Sequence, residues 1–182
     1  RHPMGLHGRQ HWIQAAGGSR VDAGSLDNAG TWLLSTQSGA APSQVNVAGL
    51  LANHGTLQAR EDATLNANRL DNQSGALLRA GGRLQANVGA ADGLDNAGTM
   101  QAGSTLGISG TGSKLANAGL MLGDRLAISV AEISNAGTIQ GGGSADSSVA
   151  ATGSVDNQAG ATITLASTGT GGGTLSGQSI AN

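Results

Sequence analysis

Apolar and polar residues alternate along this chain in short runs, and the runs recur. Examples are Thr56-Leu-Gln-Ala59, Ala63-Thr-Leu-Asn-Ala67, Thr99-Met-Gln-Ala102 and Arg125-Leu-Ala-Ile-Ser129. A period of two is the strand period, because successive side chains in a strand point to opposite faces. Clusters of Gly, Ala, Asn and Ser separate the runs and read as turns. The pattern predicts many short strands and no helix.

A longer repeat orders these runs. Leu-Asp-Asn-Ala-Gly-Thr stands at Leu26 to Thr31 and again at Leu94 to Thr99. Variants begin at Leu51, Leu115 and Ile133, and two more, at Leu70 and Val155, carry one extra residue before the Gly. Anchored on the asparagine, the series is Asn28, Asn53, Asn72, Asn96, Asn117, Asn135 and Asn157, with spacings of 25, 19, 24, 21, 18 and 22. One repeat holds two or three short strands and cannot bury its apolar side alone, so the repeats must stack as a solenoid. The expected fold is all-β: a parallel β-helix of about seven coils. Leu26, Leu51, Leu70, Leu94, Leu115, Ile133 and Val155 form an inward column. The seven asparagines form a second column at the bends, where each amide hydrogen-bonds to the coils above and below. Asn is suited to such bends by its tolerance of left-handed backbone angles. The Gly that follows supplies either positive φ or room for close approach. A leucine-rich repeat shares the period but needs more spaced leucines and less Gly, and a disordered linker would not hold an Asn register through seven copies.

Composition narrows the choices further. Of 182 residues, 32 are Gly, 30 Ala and 12 Asn; Trp12 and Trp32 are the only aromatics, Cys is absent, and the net charge is −2. Gly at this density excludes a helical bundle. The missing cysteines exclude disulfides, thiolate metal sites and a thiol nucleophile. The charge balance argues against nucleic-acid binding, and no apolar run is long enough to span a bilayer as a helix. Trp32 occupies the place held by Leu57, Met100 and Ile139 in other copies, so it belongs by pattern to an inward column, near an end where the first, longer repeat widens the cross-section.

The repeated Leu-Asp-Asn-Ala-Gly-Thr, followed by an apolar-Gln-Ala strand, resembles the haemagglutinin repeat of filamentous haemagglutinin-type exoproteins. These are the secreted partners of bacterial two-partner secretion systems and include adhesins, haemolysins and contact-dependent growth-inhibition proteins. The resemblance covers roughly Val21 to Leu165. It implies a right-handed β-helix, a location outside the cell or on the bacterial surface, and export through an outer-membrane two-partner transporter. It also implies a receptor on a host cell or neighbouring bacterium. The family's secretion domain and its toxic or adhesive tip are not visible, so the chain is expected to be a segment of shaft. A direct glycan- or receptor-binding β-helix is the second expectation, and a polysaccharide-degrading β-helix the third.

Three regions are expected: a non-repeating basic arm or cap at 1–20, the repeats at 21–166, and a flexible Gly/Ser/Thr-rich tail at 167–182. No catalytic, cofactor-binding or metal site is expected. His2, His7 and His11 lack a nearby acidic ligand, and glycines interrupt any helix that would align them. His54 replaces an Ala found in other copies and reads as an exposed substitution. The column Asp27, Asp71, Asp95 and Asp156 is broken by Ala52, Ala116 and Ser134, as a solvated position would be. Glu61-Asp62 is the only adjacent acidic pair, and neighbours in a strand face opposite ways. Arg79 and Arg83 read as a small basic, solvated face. Gly141-Gly-Gly-Ser-Ala-Asp146 comes nearest to a calcium nonapeptide but lacks tandem copies.

Overall fold

The computed structural model describes residues 12–182. These residues form twenty β-strands and no helix, and every strand pairing is parallel. Strand β1 (Trp12–Gln14) precedes the first complete turn, made of β2 (Arg20–Ala23), β3 (Leu26–Asn28) and β4 (Thr31–Ser35). The next turns are β5 (Ser43–Asn53) with β6 (Thr56–Ala59), β7 (Ala63–Asn72) with β8 (Leu77–Ala80), and β9 (Leu84–Val88) with β10 (Leu94–Asn96) and β11 (Thr99–Ala102). They are followed by β12 (Thr105–Asn117) with β13 (Leu120–Gly123), β14 (Arg125–Asn135) with β15 (Thr138–Gly141), and β16 (Ser147–Ala151) with β17 (Ser154–Asn157) and β18 (Thr162–Thr164). Strands β19 (Gly173–Ser176) and β20 (Ser179–Ala181) start one further turn.

The strands build two sheets. One has eight strands in the order β1-β4-β6-β8-β11-β13-β15-β18; the other has twelve and carries the remaining strands. Each turn therefore crosses the twelve-stranded sheet, bends, crosses the eight-stranded sheet and returns. The chain is a parallel β-helix, as the repeat predicts.

Register carries the repeat into the core. Leu26, Leu51, Leu70, Leu94, Leu115, Ile133 and Val155 pair rung to rung, and all seven are buried. On the facing wall runs the column Ile13, Trp32, Leu57, Leu78, Met100, Met121, Ile139 and Ile163. Burying each large aliphatic side chain stabilises by about 1.5–3 kcal/mol. Such columns can drive stacking without aromatics, because identical positions in successive turns give a core of nearly constant width.

The asparagines stand in a column at the bend between the two sheets, where the repeat puts them. They are the last residues of strands, they are buried from Asn28 to Asn135, and among the described residues none other than Gly has positive φ. Left-handed tolerance therefore plays no part. An Asn at this place faces inward because it is two residues beyond the inward Leu, and the strand period puts both on one side.

Glycine divides the work after each Asn. In the copies with one extra residue, Gly75 (φ +80°) and Gly160 (φ +83°) take the positive-φ conformation. In the others the backbone angles are ordinary and the constraint is contact. A methyl on Gly55 would overlap the Gly30 carbonyl, one on Gly119 the Gly98 carbonyl, and one on Gly137 the Gly119 carbonyl. Successive bends stack backbone on backbone there, so a Cβ has no room.

The two ends stand differently against the expectation of a leading arm or cap and a flexible tail. Residues 1–11, with His2, His7 and His11, lie outside the described residues. Within the expected arm, β1 pairs with β4 and Ile13 stands over Trp32. The tail is not a flexible extension throughout. After the loop at 165–172, β19 pairs with β16 and β20 with β17, and Asn157 Nδ2 donates to Asn182 Oδ1 at 2.6 Å. Gly-rich sequence has little strand propensity of its own, but the open edge of the preceding turn offers it a complete set of backbone partners. Leu34 is the extra residue of a bulge between Leu33 and Ser35 and is fully buried.

Candidate functional site

The most regular polar feature is the buried amide ladder. Asn28 Nδ2 donates to Asn53 Oδ1 at 2.8 Å, Asn53 to Asn72 at 2.9 Å, and Asn72 to Asn96, Asn96 to Asn117, Asn117 to Asn135 and Asn135 to Asn157 each at 2.8 Å. The second amide proton reaches the start of the other sheet in the next turn: Asn28 donates to Thr56 O at 3.0 Å, Asn72 to Thr99 O at 3.1 Å and Asn135 to Thr162 O at 3.0 Å. Each side chain thus pins the corner between sheets and joins two turns. Buried amides of this kind are costly unless paired, and here both N–H groups and the carbonyl oxygen are used. The ladder is structural, with its polar atoms turned from solvent.

A second ladder lies on the outer face of the twelve-stranded sheet, and the spacing of Leu-Asp-Asn gave no sign of it. Asn46 Nδ2 donates to Asp22 Oδ1, Asn66 to Asn46 and Asn87 to Asn66, each at 2.7 Å. The signal in the sequence was the polar member of three alternating runs, Val45-Asn-Val47, Leu65-Asn-Ala67 and Ala86-Asn-Val88. The hydrogen bond from Asn46 is the main cause that holds the Asp22 carboxyl below its ordinary range, with Arg20 adding to it. Along this face, side chains shrink past Asn87. Gln85 leans over Gly107, where a methyl would strike its amide, and beyond it stand Ser109, Ala127 and Ser129. The step leaves an open groove of about 650 Å³ bordered by Asp62, Arg83, Gln85 and Asn87.

The turn acids serve neighbouring turns. Glu61 Oε1 accepts from Gly39 N at 2.8 Å, Asp62 Oδ1 from Arg83 N at 2.7 Å, Asp146 Oδ1 from Gly172 N at 2.6 Å, and Asp124 from Ser144. Glu61 and Asp62 therefore satisfy backbone donors on different turns and do not converge as a catalytic pair. Arg79 and Arg83 are separated as well: Arg79 borders a groove with Arg60 and Glu61, and Arg83 borders the larger one.

His54 is half-exposed, with Nε2 3.5 Å from Asp27 Oδ1. In the acidic column Asp71 and Asp95 are adjacent. Their repulsion is relieved by Arg69, which donates to Asp95 at 2.7 Å. The inward and Asn columns named from the sequence are all brought into line, while the candidate ionisable residues are scattered around the perimeter. Among the described residues no group of three His, Cys, Asp or Glu side chains is close enough to hold a metal ion.

Comparison with known proteins found no matching family model, no matching curated protein and no matching solved structure.

Proposed function

We propose that this chain is a structural shaft segment of a secreted, surface-associated bacterial exoprotein of the filamentous haemagglutinin type, one that carries an adhesive or toxic tip away from the cell. The observation that carries this reading is the unbroken register of the Leu and Asn columns through every turn. A spacer needs a length that grows in fixed steps with each repeat and resistance to bending. A turn of about 21 residues advancing by ~4.8 Å, locked to its neighbours by an amide and by backbone bonds on both sheets, provides both. The scattered, hydrogen-bonded turn acids fit a spacer better than a β-helical hydrolase, which needs carboxylates converging on one face. On this reading the export partner is an outer-membrane two-partner transporter and the receptor belongs to the tip.

The test is made in the producing bacterium. Deleting the adjacent transporter gene should abolish labelling of this segment by antibody on intact cells, with the protein retained inside. Unchanged surface labelling, or no labelling in the parent strain, would overturn the reading.

The outer amide ladder and its groove favour a second reading, a β-helix that itself contacts a glycan or receptor. Carboxamide, guanidinium and carboxylate groups over a small-residue floor match the hydroxyl groups of a sugar. Binding of the isolated chain to a glycan array, lost in Asn87→Ala with folding intact, would establish it.

A further inference from the structure

The groove beside the outer amide ladder has a charged rim with a regular order. Register places Gln85, Gly107 and Ala127 in one outward column and Asn87, Ser109 and Ser129 in the next. Two places earlier along the chain, the rim reads Asp62, Arg83, Thr105, Arg125 and Asp146 in five successive turns. Both arginines are exposed, and each is tethered by a hydrogen bond. Arg83 Nη2 donates to Gln85 Oε1 at 2.5 Å, and Arg125 Nε donates to Asp146 O at 3.0 Å. Neither meets a carboxylate. The ion pairs among the described residues are Arg20–Asp22, Arg69–Asp95 and His54–Asp27, and residues 1–11 contain no acid. The flanking carboxylates of Asp62 and Asp146 accept instead from the backbone N–H groups of Arg83 and Gly172.

Granted that the β-helix itself contacts a glycan, we propose that this groove binds a linear acidic polysaccharide lying along the β-helix axis, with a carboxylate on every second sugar. Arg83 takes one carboxylate and Arg125 the next. The neutral sugar between them rests over Thr105, Gly107 and Ser109. Arg83 and Arg125 stand two turns apart, a distance of ~9.6 Å along the axis, which is comparable to the length of a disaccharide in an extended chain. A guanidinium already held at one edge and without a carboxylate is preorganised to receive an oxyanion at its open edge.

The order of the rim selects the spacing of the ligand's charges. A carboxylate on every sugar would fall at every turn, against Asp62 before Arg83 and against Asp146 beyond Arg125, where like charges repel. A carboxylate on every second sugar meets both arginines and skips both acids. The rest of the groove selects an acidic sugar over a neutral one. Trp12 and Trp32 are the only aromatics in the chain and neither borders the groove, so no ring is present on which a neutral sugar could stack. Affinity must come from charge-assisted hydrogen bonds at the rim and from the end wall. There Gln85 Nε2 donates to Asn87 Oδ1 at 2.9 Å, and Asn87 donates to Asn66. These bonds fix the Asn87 amide and leave it one N–H and one lone pair for sugar hydroxyls.

The experiment is calorimetric titration of the full 182-residue chain with hyaluronan oligosaccharides, in which glucuronate alternates with a neutral sugar. The comparison ligands are the same oligosaccharides with their carboxyl groups reduced to alcohols, and oligogalacturonate, which has a carboxylate on every sugar. Poly-glutamate and dextran sulfate serve as polyanions of other chemistry. Hyaluronan is expected to bind tightest. Carboxyl reduction, Arg83→Gln and Arg125→Gln should each weaken it about tenfold, as the loss of a charge-assisted bond does. Ser129→Leu, which fills the floor without changing charge, should weaken it as well. Arg79→Gln, on the other sheet, should leave it unchanged. Circular dichroism checks the fold of each variant, and the exposed Arg83 and Arg125 changes carry the test if Ser129→Leu disturbs it. Glycan binding that is indifferent to carboxyl reduction or to both arginines would overturn the acidic ligand and leave the glycan-contact reading standing. No binding to any of the glycans would overturn both. Equal binding of oligogalacturonate, poly-glutamate or dextran sulfate would overturn the alternating spacing and reduce the rim to a general anion patch.

Discussion

Asn96 shows what one residue of the ladder supports. Its carbonyl oxygen accepts from Asn72 at 2.8 Å and its amide donates to Asn117 at 2.8 Å and to Leu120 O at 3.3 Å. Asn96→Ala removes its own groups and also leaves a buried donor on Asn72 and a buried acceptor on Asn117. Each orphan costs about 1–3 kcal/mol, so a loss of about 3 kcal/mol is expected in a denaturant melt. Neighbouring Asp95 points outward, half-exposed, against Arg69. An exposed ion pair contributes about 0–1 kcal/mol, so Asp95→Ala should cost no more than that. Leu94→Asp, one place earlier in the buried column, should exceed both, since a carboxylate there has no partner. Equal losses at positions 94 and 95 would contradict the inward and outward assignment. Glycine allows a similar contrast. Gly119→Ala forces a methyl into the Gly98 carbonyl, whereas Gly75→Ala meets open space and bears only the strain of φ +80°. The first is expected to cost more, because it must push whole bends apart while the second costs about 1–2 kcal/mol.

At the scale of the strand, what was legible and what was not follow from one distinction. Leu94 and Asn96 were readable because each repeats with its neighbours fixed, and a period of two then places both inside. The outer ladder of Asn46, Asn66 and Asn87 was hidden because the same position in other turns holds Asp, Ser or Ala, so the column has no constant residue. Strands β19 and β20 were hidden for a different reason. Their Gly and Ser residues have little propensity, and β16 and β17 impose the conformation by offering backbone partners. Which bend glycine works by φ and which by contact was likewise invisible, because contact depends on the turn beneath. Trp32 was placed correctly in its column, but it is only partly buried, beneath Ile13 at the first turn. Trp32→Ala is therefore expected to cost about 2 kcal/mol, below the ~3–5 of a fully buried aromatic. In single Trp→Phe variants, a soluble quencher should reach Trp12, which is 62 % exposed, more readily than Trp32. The reverse order would mean that Ile13 does not cover the first turn.

At the scale of the whole molecule, the β-helix is a one-dimensional stack in which a turn touches only the turn above and the turn below. Stability in such a stack is a sum of turn energies and nearest-neighbour interfaces, and a lesion matters according to how many interfaces it breaks. Leu26 and Leu94 occupy the same column and make the same kind of contact, but Leu26 belongs to the first complete turn and Leu94 to the middle of the stack. Leu26 is already 9 % exposed and Leu94 is 1 % exposed. Leu94→Asp breaks interfaces on both sides and splits the stack into halves of about three turns, near the lower limit for a stable solenoid. Leu26→Asp releases the first turn and leaves the rest stacked. The central change is expected to lower the midpoint for the whole molecule, and the terminal one to cost markedly less. Amide hydrogen exchange provides the map. In the unsubstituted chain, protection should rise from β1 to β11 and fall again towards β20, whose Ile180 is 50 % exposed. In Leu26→Asp only the first strands should lose protection, whereas in Leu94→Asp the loss should extend in both directions from β10. Uniform protection, with the two substitutions equivalent, would show that the chain folds as a single cooperative block and that nearest-neighbour stacking does not govern it.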